Sequence, residues 1–278
     1  MRRILIAAAL AAAATVAGNG AGSARADVVF QQNFDAVPLG PNREEAIPGD
    51  NVWTDAMPPG WTVDRTSVPG YDNPPESNGI KEWIGWNIAS RDWWVQAAGD
   101  QTRTLFTKST GAALIADPDE WDDAAHPDTN YTDLYDTLAT TPAITLANLV
   151  RTSVRVKFDS SWRPEAMDDG ANVNNQTGTI DVVYSNGTTT RILEWDSAAG
   201  SPTFHPDSQN ESIDLPLADI PAAATSFQLR FGLGKAANDW WWAVDNIAVE
   251  ATPIPEPAAG GLALLVGTCA FLRRRRRA

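Results

Sequence analysis

Along much of this chain, apolar residues recur at every second position. Val154, Val156 and Phe158 alternate with Arg155, Lys157 and Asp159, and Phe227, Leu229, Phe231 and Leu233 alternate with Gln228, Arg230 and Gly232. Ile180, Val182 and Tyr184 keep the same beat around Asp181 and Val183. Successive side chains of a strand point to opposite faces, so each segment predicts a strand with one buried face. Between Thr179 and Trp195 the turn Ser185-Asn186-Gly187 predicts a hairpin, because Asn and Gly both accept positive φ. Further strands are predicted at 28–34, 60–64, 112–117, 142–146, 211–215 and 241–250. No long amphipathic helix is visible, and residues 90–98 have room for a turn or two. Pro and Gly punctuate 38–60 and 68–79, which places long loops ahead of the regular strands.

About ten antiparallel strands with long loops and no internal linker predict an all-β fold. The expected architecture is an antiparallel two-sheet jelly-roll β-sandwich, formed as a single domain by residues 27–251. Parity along the last strand adds a finer expectation: if Ile247 and Val249 face the core, so do Trp241, Ala243 and Asp245, leaving Trp240 and Trp242 on the opposite face. A single bulge would invert that assignment.

The two ends read as processing signals, each carrying a short apolar helix, and are set aside from the fold. Arg2 and Arg3 precede the apolar run Ile4 to Ala17, and Ala24-Arg25-Ala26 has the small-x-small pattern of a secretory cleavage site, which makes residues 1–26 a signal peptide. At the other end, residues 252–278 hold Pro255, Glu256 and Pro257, a 15-residue apolar stem from Ala258 to Leu272, and Arg273, Arg274, Arg275, Arg276 and Arg277. A helix needs about 20 apolar residues to cross a bilayer core, so the stem suits transient membrane insertion better than permanent residence. The arginines stay on the cytoplasmic side and place the body outside. The alternative is a plain C-terminal anchor. This order of triplet, small-residue-rich stem and basic stop resembles the PEP-CTERM sorting tail. The resemblance implies recognition by an exosortase-type membrane enzyme, loss of the tail, and delivery to the cell surface or extracellular matrix of a Gram-negative bacterium.

Removing the ends changes the charge. The formal net charge is −14, but 8 of the 21 Lys and Arg lie in the tails, while all 35 acids lie between Asp27 and Glu256. Residues 27–256 therefore set 13 basic against 35 acidic side chains, a net of −22. Nucleic acid, which demands a basic patch, is excluded as a partner; cations such as calcium are favoured. The only cysteine, Cys269, sits in the apolar stem, so the exported body has neither disulfide nor thiol nucleophile.

Gln32-Asn33-Phe34-Asp35, the later Pro59-Gly60-Trp61-Thr62, and Trp242-Ala243-Val244-Asp245-Asn246-Ile247-Ala248-Val249 resemble the opening and closing strands of jelly-roll domains in carbohydrate-binding modules and concanavalin-like extracellular domains. The run Asn238-Asp239-Trp240-Trp241-Trp242 is also similar to jelly-roll regions that accompany secreted bacterial phosphoesterases, although no phosphoesterase motif is present. The first resemblance implies a structural calcium held by Asp35 and Asp245, with backbone carbonyls and water completing its 6 to 8 oxygen ligands; otherwise Asp245 caps a turn. A second candidate comes from the residues alone. Residues 117–136 hold eight acids and no Lys or Arg, and like charges at that density call for a counter-ion. Asp117, Asp119, Asp122 and Asp123 are its candidate calcium ligands; the other reading is a solvated acidic loop.

All twelve tryptophans lie in the body, as core mass or as platforms for the apolar face of a sugar. Trp61, Trp162 and Trp195 are assigned to the core. Trp83, Trp86, Trp93 and Trp94, set among Glu82, Asn87, Arg91 and Asp92, and Trp240 and Trp242 are the glycan-binding candidates, with a loop mini-core as the alternative for the first four. Signs of catalysis are thin. His126 and His205, the only histidines, are far apart, no Gly-x-Ser-x-Gly occurs, and the paired-carboxylate strand of sandwich glycosidases is missing. The expectation is a non-catalytic module binding extracellular polysaccharide or surface proteins and stabilised by calcium. A structural matrix or adhesion protein without a small ligand is the alternative, and a polysaccharide-active hydrolase of sandwich fold the second.

Overall fold

Period-two alternation does become strands. In the computed structural model, which describes residues 25–68, 71, 79–122, 134–168, 173–236 and 239–255, fifteen strands follow one another. They are β1 (Asp27–Gln32), β2 (Trp53–Thr54), β3 (Thr62–Ser67), β4 (Asn87–Ser90), β5 (Ala112–Ala116), β6 (Tyr135–Thr140), β7 (Ile144–Thr145) and β8 (Arg155–Trp162). Then come β9 (Ala166–Asp168), β10 (Val173–Asn175), β11 (Thr177–Tyr184), β12 (Thr189–Asp196), β13 (Ser208–Pro216), β14 (Ser226–Ala236) and β15 (Trp242–Ala251). Helix α1 (Arg91–Ala97) starts at Ser90, whose hydroxyl accepts from the Trp93 N–H, and α2 (Pro118–Asp122) opens on a proline with Asp119 and Glu120 in its first turn. Residues 1–24 of the expected signal peptide, Asp123, and the expected sorting tail from Glu256 onward lie outside the described residues; Pro255 is the last one described. Among the described residues, no helix is long and apolar enough to cross a membrane.

Two antiparallel sheets form the sandwich. The first runs β13-β8-β15-β5-β4-β2, with β1 also on β15; the second runs β12-β11-β14-β6-β3, with β7 also on β14. β9 and β10 pair as a separate ribbon. The architecture is thus the all-β two-sheet sandwich that the alternation predicts. Five strands escaped that signal. β2 is only two residues long, and β4 is a four-residue strand with Asn87, Ile88 and Ala89 all buried, so no alternation of apolar and polar positions shows in it. β6 does alternate, but through the short side chains of Thr137 and Ala139. β9 and β10 are three residues each.

The bulge changes the last strand. Register against β8 shifts between Asp245 and Ala248, and Asn246 stands at φ 52°. Trp242, opposite Trp162, therefore points between the sheets with Ile247 and Val249, while Trp241 and Asp245 point to the outer face. This corrects the parity expectation, since one extra residue exchanges the faces on either side of it. Trp242 is the hub of the interior, with ring centroids 5.5 Å from Trp86, 6.0 Å from Trp162, 5.5 Å from Trp195 and 6.2 Å from Phe231. Its indole N–H donates to Ser160 Oγ at 3.0 Å, so the ring brings no unsatisfied donor into the core.

Candidate functional site

Three places answer the sequence expectations, and a fourth was not foreseen. The first is the junction of the opening and closing strands. Along one edge, β15 pairs with β5 through 242–244 and with β1 through 247–251, so Asp245 and Asn246 sit where its partner changes. Asp35 reaches this point from the loop after β1, its Oδ1 accepting from the Ala112 N–H at 3.1 Å and its Oδ2 from Asn33 Nδ2 at 2.9 Å. The approach needs a glycine at Gly111, where φ is +71° and a Cβ would stand 2.1 Å from Asp35 Oδ1. Across the ladder, Asp159 faces Asp245 and accepts from Asn246 Nδ2 at 2.9 Å and from Ser212 Oγ at 2.5 Å.

Asp245 is 1% exposed. Burial pushes its pKa up to about 7; the Ser109 hydroxyl and the Asn246 N–H offset part of the rise, and the Asp35 and Asp159 carboxylates add to it. The Asn246 N–H donates to Asp245 Oδ1 at 2.6 Å, whereas buried Ser109 Oγ lies near without full hydrogen-bond geometry. A cleft of about 300 Å3 lined by Gln31, Gln32, Asn33 and Asn246 adjoins the junction, so amide and carbonyl oxygens are at hand. Among the described residues, no three His, Cys, Asp or Glu side chains converge as a ready-made metal cage.

The second place is the acidic segment, where the counter-ion is a side chain. Arg103, fully buried, brings its Nη2 to 2.9 Å from Asp117 Oδ2, 3.0 Å from Asp119 Oδ2 and 3.0 Å from Glu120 Oε1. Trp94 Nε1 also donates to Asp117 Oδ2 at 2.7 Å, and the guanidinium carbon lies 4.1 Å over the Trp241 ring. Asp117, just before α2, and Asp119 and Glu120 in its first turn gather around a guanidinium contributed from outside their own segment, which takes the place that the sequence reading gave to calcium at Asp117 and Asp119. Asp122 closes α2, and Asp123 lies outside the described residues.

The tryptophan candidates form the third place, and the structure spends them on packing. Trp83, Trp86, Trp94 and Trp242 are 0% exposed and Trp93 is 5% exposed. Trp83 and Trp93 stack at 5.9 Å, with Trp93 Nε1 donating to the Ile47 carbonyl at 2.9 Å and Trp83 Nε1 to Glu45. A ring without an exposed face cannot stack on a pyranose, so these five are corrected from platforms to core. Trp240 is half-buried, but the Arg163 guanidinium lies 3.5 Å over its ring.

The fourth place is the outer face of the second sheet, where a groove of about 300 Å3 crosses β3, β6, β14 and β11. Its floor is open because β14 carries Gly232 and Gly234: a Cβ at Gly232 would lie 2.6 Å from Thr179 Oγ1, and one at Gly234 2.5 Å from Asp136 Oδ1. Asp64, Asp136, Thr177, Thr179, Arg191 and Lys235 line it. Burial raises the pKa of Asp136, partly offset by the Lys235 N–H at 2.9 Å, while the Thr66 hydroxyl and N–H hold Asp64 below the ordinary carboxylate value. Arg191 is fixed by Asp181, at 2.9 Å; burial pushes Asp181 up, but Arg191 and Arg230 outweigh it and leave its pKa lowered. The signal for this groove was present in the sequence as two glycines at alternate positions of one strand, on the face that alternation leaves outward.

No known protein family matches the sequence, and no curated protein matches it. Solved structures of similar shape include the K1 cleaved adhesin domain of Lys-gingipain from Porphyromonas gingivalis W83, at 11% identity, covering 79% of this chain and 96% of that one with a TM-score of 0.40. TmCBM61 in complex with beta-1,4-galactotriose is similar at 11% identity, 68% and 86% coverage and a TM-score of 0.37. An apo form cyclase from Fischerella sp. is similar at 9% identity, 84% and 100% coverage and a TM-score of 0.43. Figures of this size describe a likeness of general shape, and no functional inference is taken from them.

Proposed function

We propose that this chain is an exported, non-catalytic β-sandwich that binds glycan in the groove of its second sheet, with calcium tying its first strand to its last. The groove carries the reading. Sugar hydroxyls both donate and accept, and here fixed carboxylates, threonine hydroxyls and a guanidinium converge over a floor kept low by Gly232 and Gly234. Arg191 is preorganised by Asp181 and Glu194, so less side-chain freedom is lost on binding. The basic leader and the sorting-type tail support export to the cell surface or matrix with an exosortase-type enzyme as processing partner.

The junction fits calcium by one observation: Asp245 is buried among Asp35 and Asp159 with its pKa raised to about 7, a carboxylate that burial holds back from ionising and that a divalent cation would favour charged. Asp35 and Asp245 would hold the ion, with Asp159 and backbone or amide oxygens beside them. It would supply countercharge and cross-linking. The competing reading, a matrix protein without a small ligand, draws on the burial of the candidate tryptophans.

A glycan array probed with the full-length chain tests the groove. Retention of neutral oligosaccharides, weakened at least tenfold by Arg191→Ala, is expected; the substitution removes the ion pairs of Arg191 with Asp181 and Glu194 but leaves Asp181 its bond to Arg230, and partly exposed pairs contribute about 0.2–1 kcal/mol each. Retention unchanged in that variant ends the groove assignment, and no retention by the parent chain favours the matrix reading.

A further inference from the structure

β2 closes one end of the first sheet and β3 one end of the second, and a cavity of about 250 Å3 opens where those edges meet. In a chain whose residues 27–256 carry a net charge of −22, this cavity gathers Arg43, Arg65 and Lys81 against a single lining acid among the described residues, Asp55. The cations are differently engaged. Lys81 is paired with Glu44. Among the described residues Arg65 bonds only neutral oxygens: its Nε donates to the Ile84 carbonyl at 2.9 Å, and its Nη2 to the Trp86 carbonyl at 2.7 Å, to Asn87 Oδ1 at 2.9 Å and to the Asp55 carbonyl at 3.4 Å. Burial lowers its pKa, as befits a cation without a bonded counter-charge.

Arg43 is exposed, and among the described residues no carboxylate bonds its guanidinium, which lies 5.2 Å over the Trp53 ring. Its backbone is nonetheless pinned, because the N–H groups of Arg43 and Glu44 both donate to fully buried Glu82. Tyr71, 42% exposed, adds an aromatic wall. Two guanidiniums with unused donors, one fixed by carbonyls and one stacked on an indole, form a receptor for a planar anion. The neighbouring ring suits the sugar that carries it.

We propose that this cavity binds the carboxylate of an acidic sugar, with Arg65 and Arg43 on the carboxylate and Tyr71 against the pyranose. The sugar part of the assignment rests on the glycan reading above; the anion preference stands on the cavity's own charges. At about 250 Å3 the cavity has room for one sugar unit, and it shares no lining residue with the groove on the outer face of the second sheet.

Calorimetric titration of the full-length chain with D-glucuronate, D-glucose and acetate tests this directly. Expected results are binding of glucuronate that weakens with added salt, weaker binding of acetate, and none of glucose. Arg43→Ala should weaken glucuronate at least tenfold, and Tyr71→Ala should weaken glucuronate while leaving acetate unchanged. Equal binding of glucose and glucuronate, or glucuronate binding untouched by Arg43→Ala, overturns the proposal, as does failure of glucuronate to bind. The groove variant Arg191→Ala separates the two sites. Neutral oligosaccharides bound without glucuronate leave the groove and remove this cavity, whereas glucuronate bound without any neutral glycan does the reverse.

Discussion

Two buried charges show how differently single residues are accommodated. Arg103 is saturated by Asp117, Asp119 and Glu120 and covered by Trp94 and Trp241, so its desolvation is matched by short charge-assisted bonds. Replacing it by methionine leaves Asp117 buried without its cation, and urea unfolding is expected to show a loss of about 3–5 kcal/mol. A loss below about 1 kcal/mol would remove the guanidinium from its role as counter-ion. Asp245 is the opposite case, since no cation offsets its burial. In calcium-free buffer at pH 8, Asp245→Asn should stabilise the chain. The ceiling is about 4 kcal/mol, from about 1.4 kcal/mol per pH unit between the ordinary 3.8 and about 7. The same variant should lose any stabilisation by added calcium. Destabilisation by Asp245→Asn without calcium would contradict the burial argument. Asp35 and Asp245 were legible as partners only through the resemblance of the two strand ends to those of jelly-roll domains; Asp159, directly across the ladder, was not, because register between distant strands is not written in local spacing.

At the scale of elements, the strands of eight residues or more were all readable, whereas β2, β4, β6, β9 and β10, all shorter, were not. β8, β11 and β14 alternate because mainly their inner faces meet the core, whereas β5, buried throughout, is legible only as a short continuous apolar run. Helix α2 was hidden behind its charge, although its proline start and two early acids are helix-opening features. The bulge in β15 decides which tryptophan enters the sandwich, and Asn246 holds it with φ 52° and with side-chain bonds to the Lys108 carbonyl and Asp159. Asn246→Gly keeps the backbone and loses only the bonds; Asn246→Ala loses both. Thermal melts should therefore rank alanine below glycine by about 1 kcal/mol. The reverse order would show that the left-handed backbone does not constrain this position.

For the whole molecule, the fold class followed from alternation, but the placement of function did not. The tryptophan clusters that looked like sugar platforms are the mass between and beneath the sheets, and concavity comes instead from glycines, whose lack of a side chain carries no hydrophobic signal. The calcium proposal is also a property of the whole. Because the folded-state pKa of Asp245 is raised, the folded state binds more protons than the unfolded one between about 4 and 7, so stability falls as pH rises through that window. With chelator, the melting temperature should decline across it; with calcium, the decline should flatten. Identical profiles in both buffers would dispose of the ion.

The pairing of β1 with β15 has a mechanical side. Asp27 is the register partner of Ala251, so the chain enters and leaves the sandwich at adjacent points of the same ladder. A load entering through Ala251 pulls lengthwise on a strand flanked by β8 on one side and by β5 and β1 on the other. Its hydrogen bonds are then sheared together rather than peeled one at a time, so a force applied at Ala251 is resisted by the ladders to β1, β5 and β8 at once.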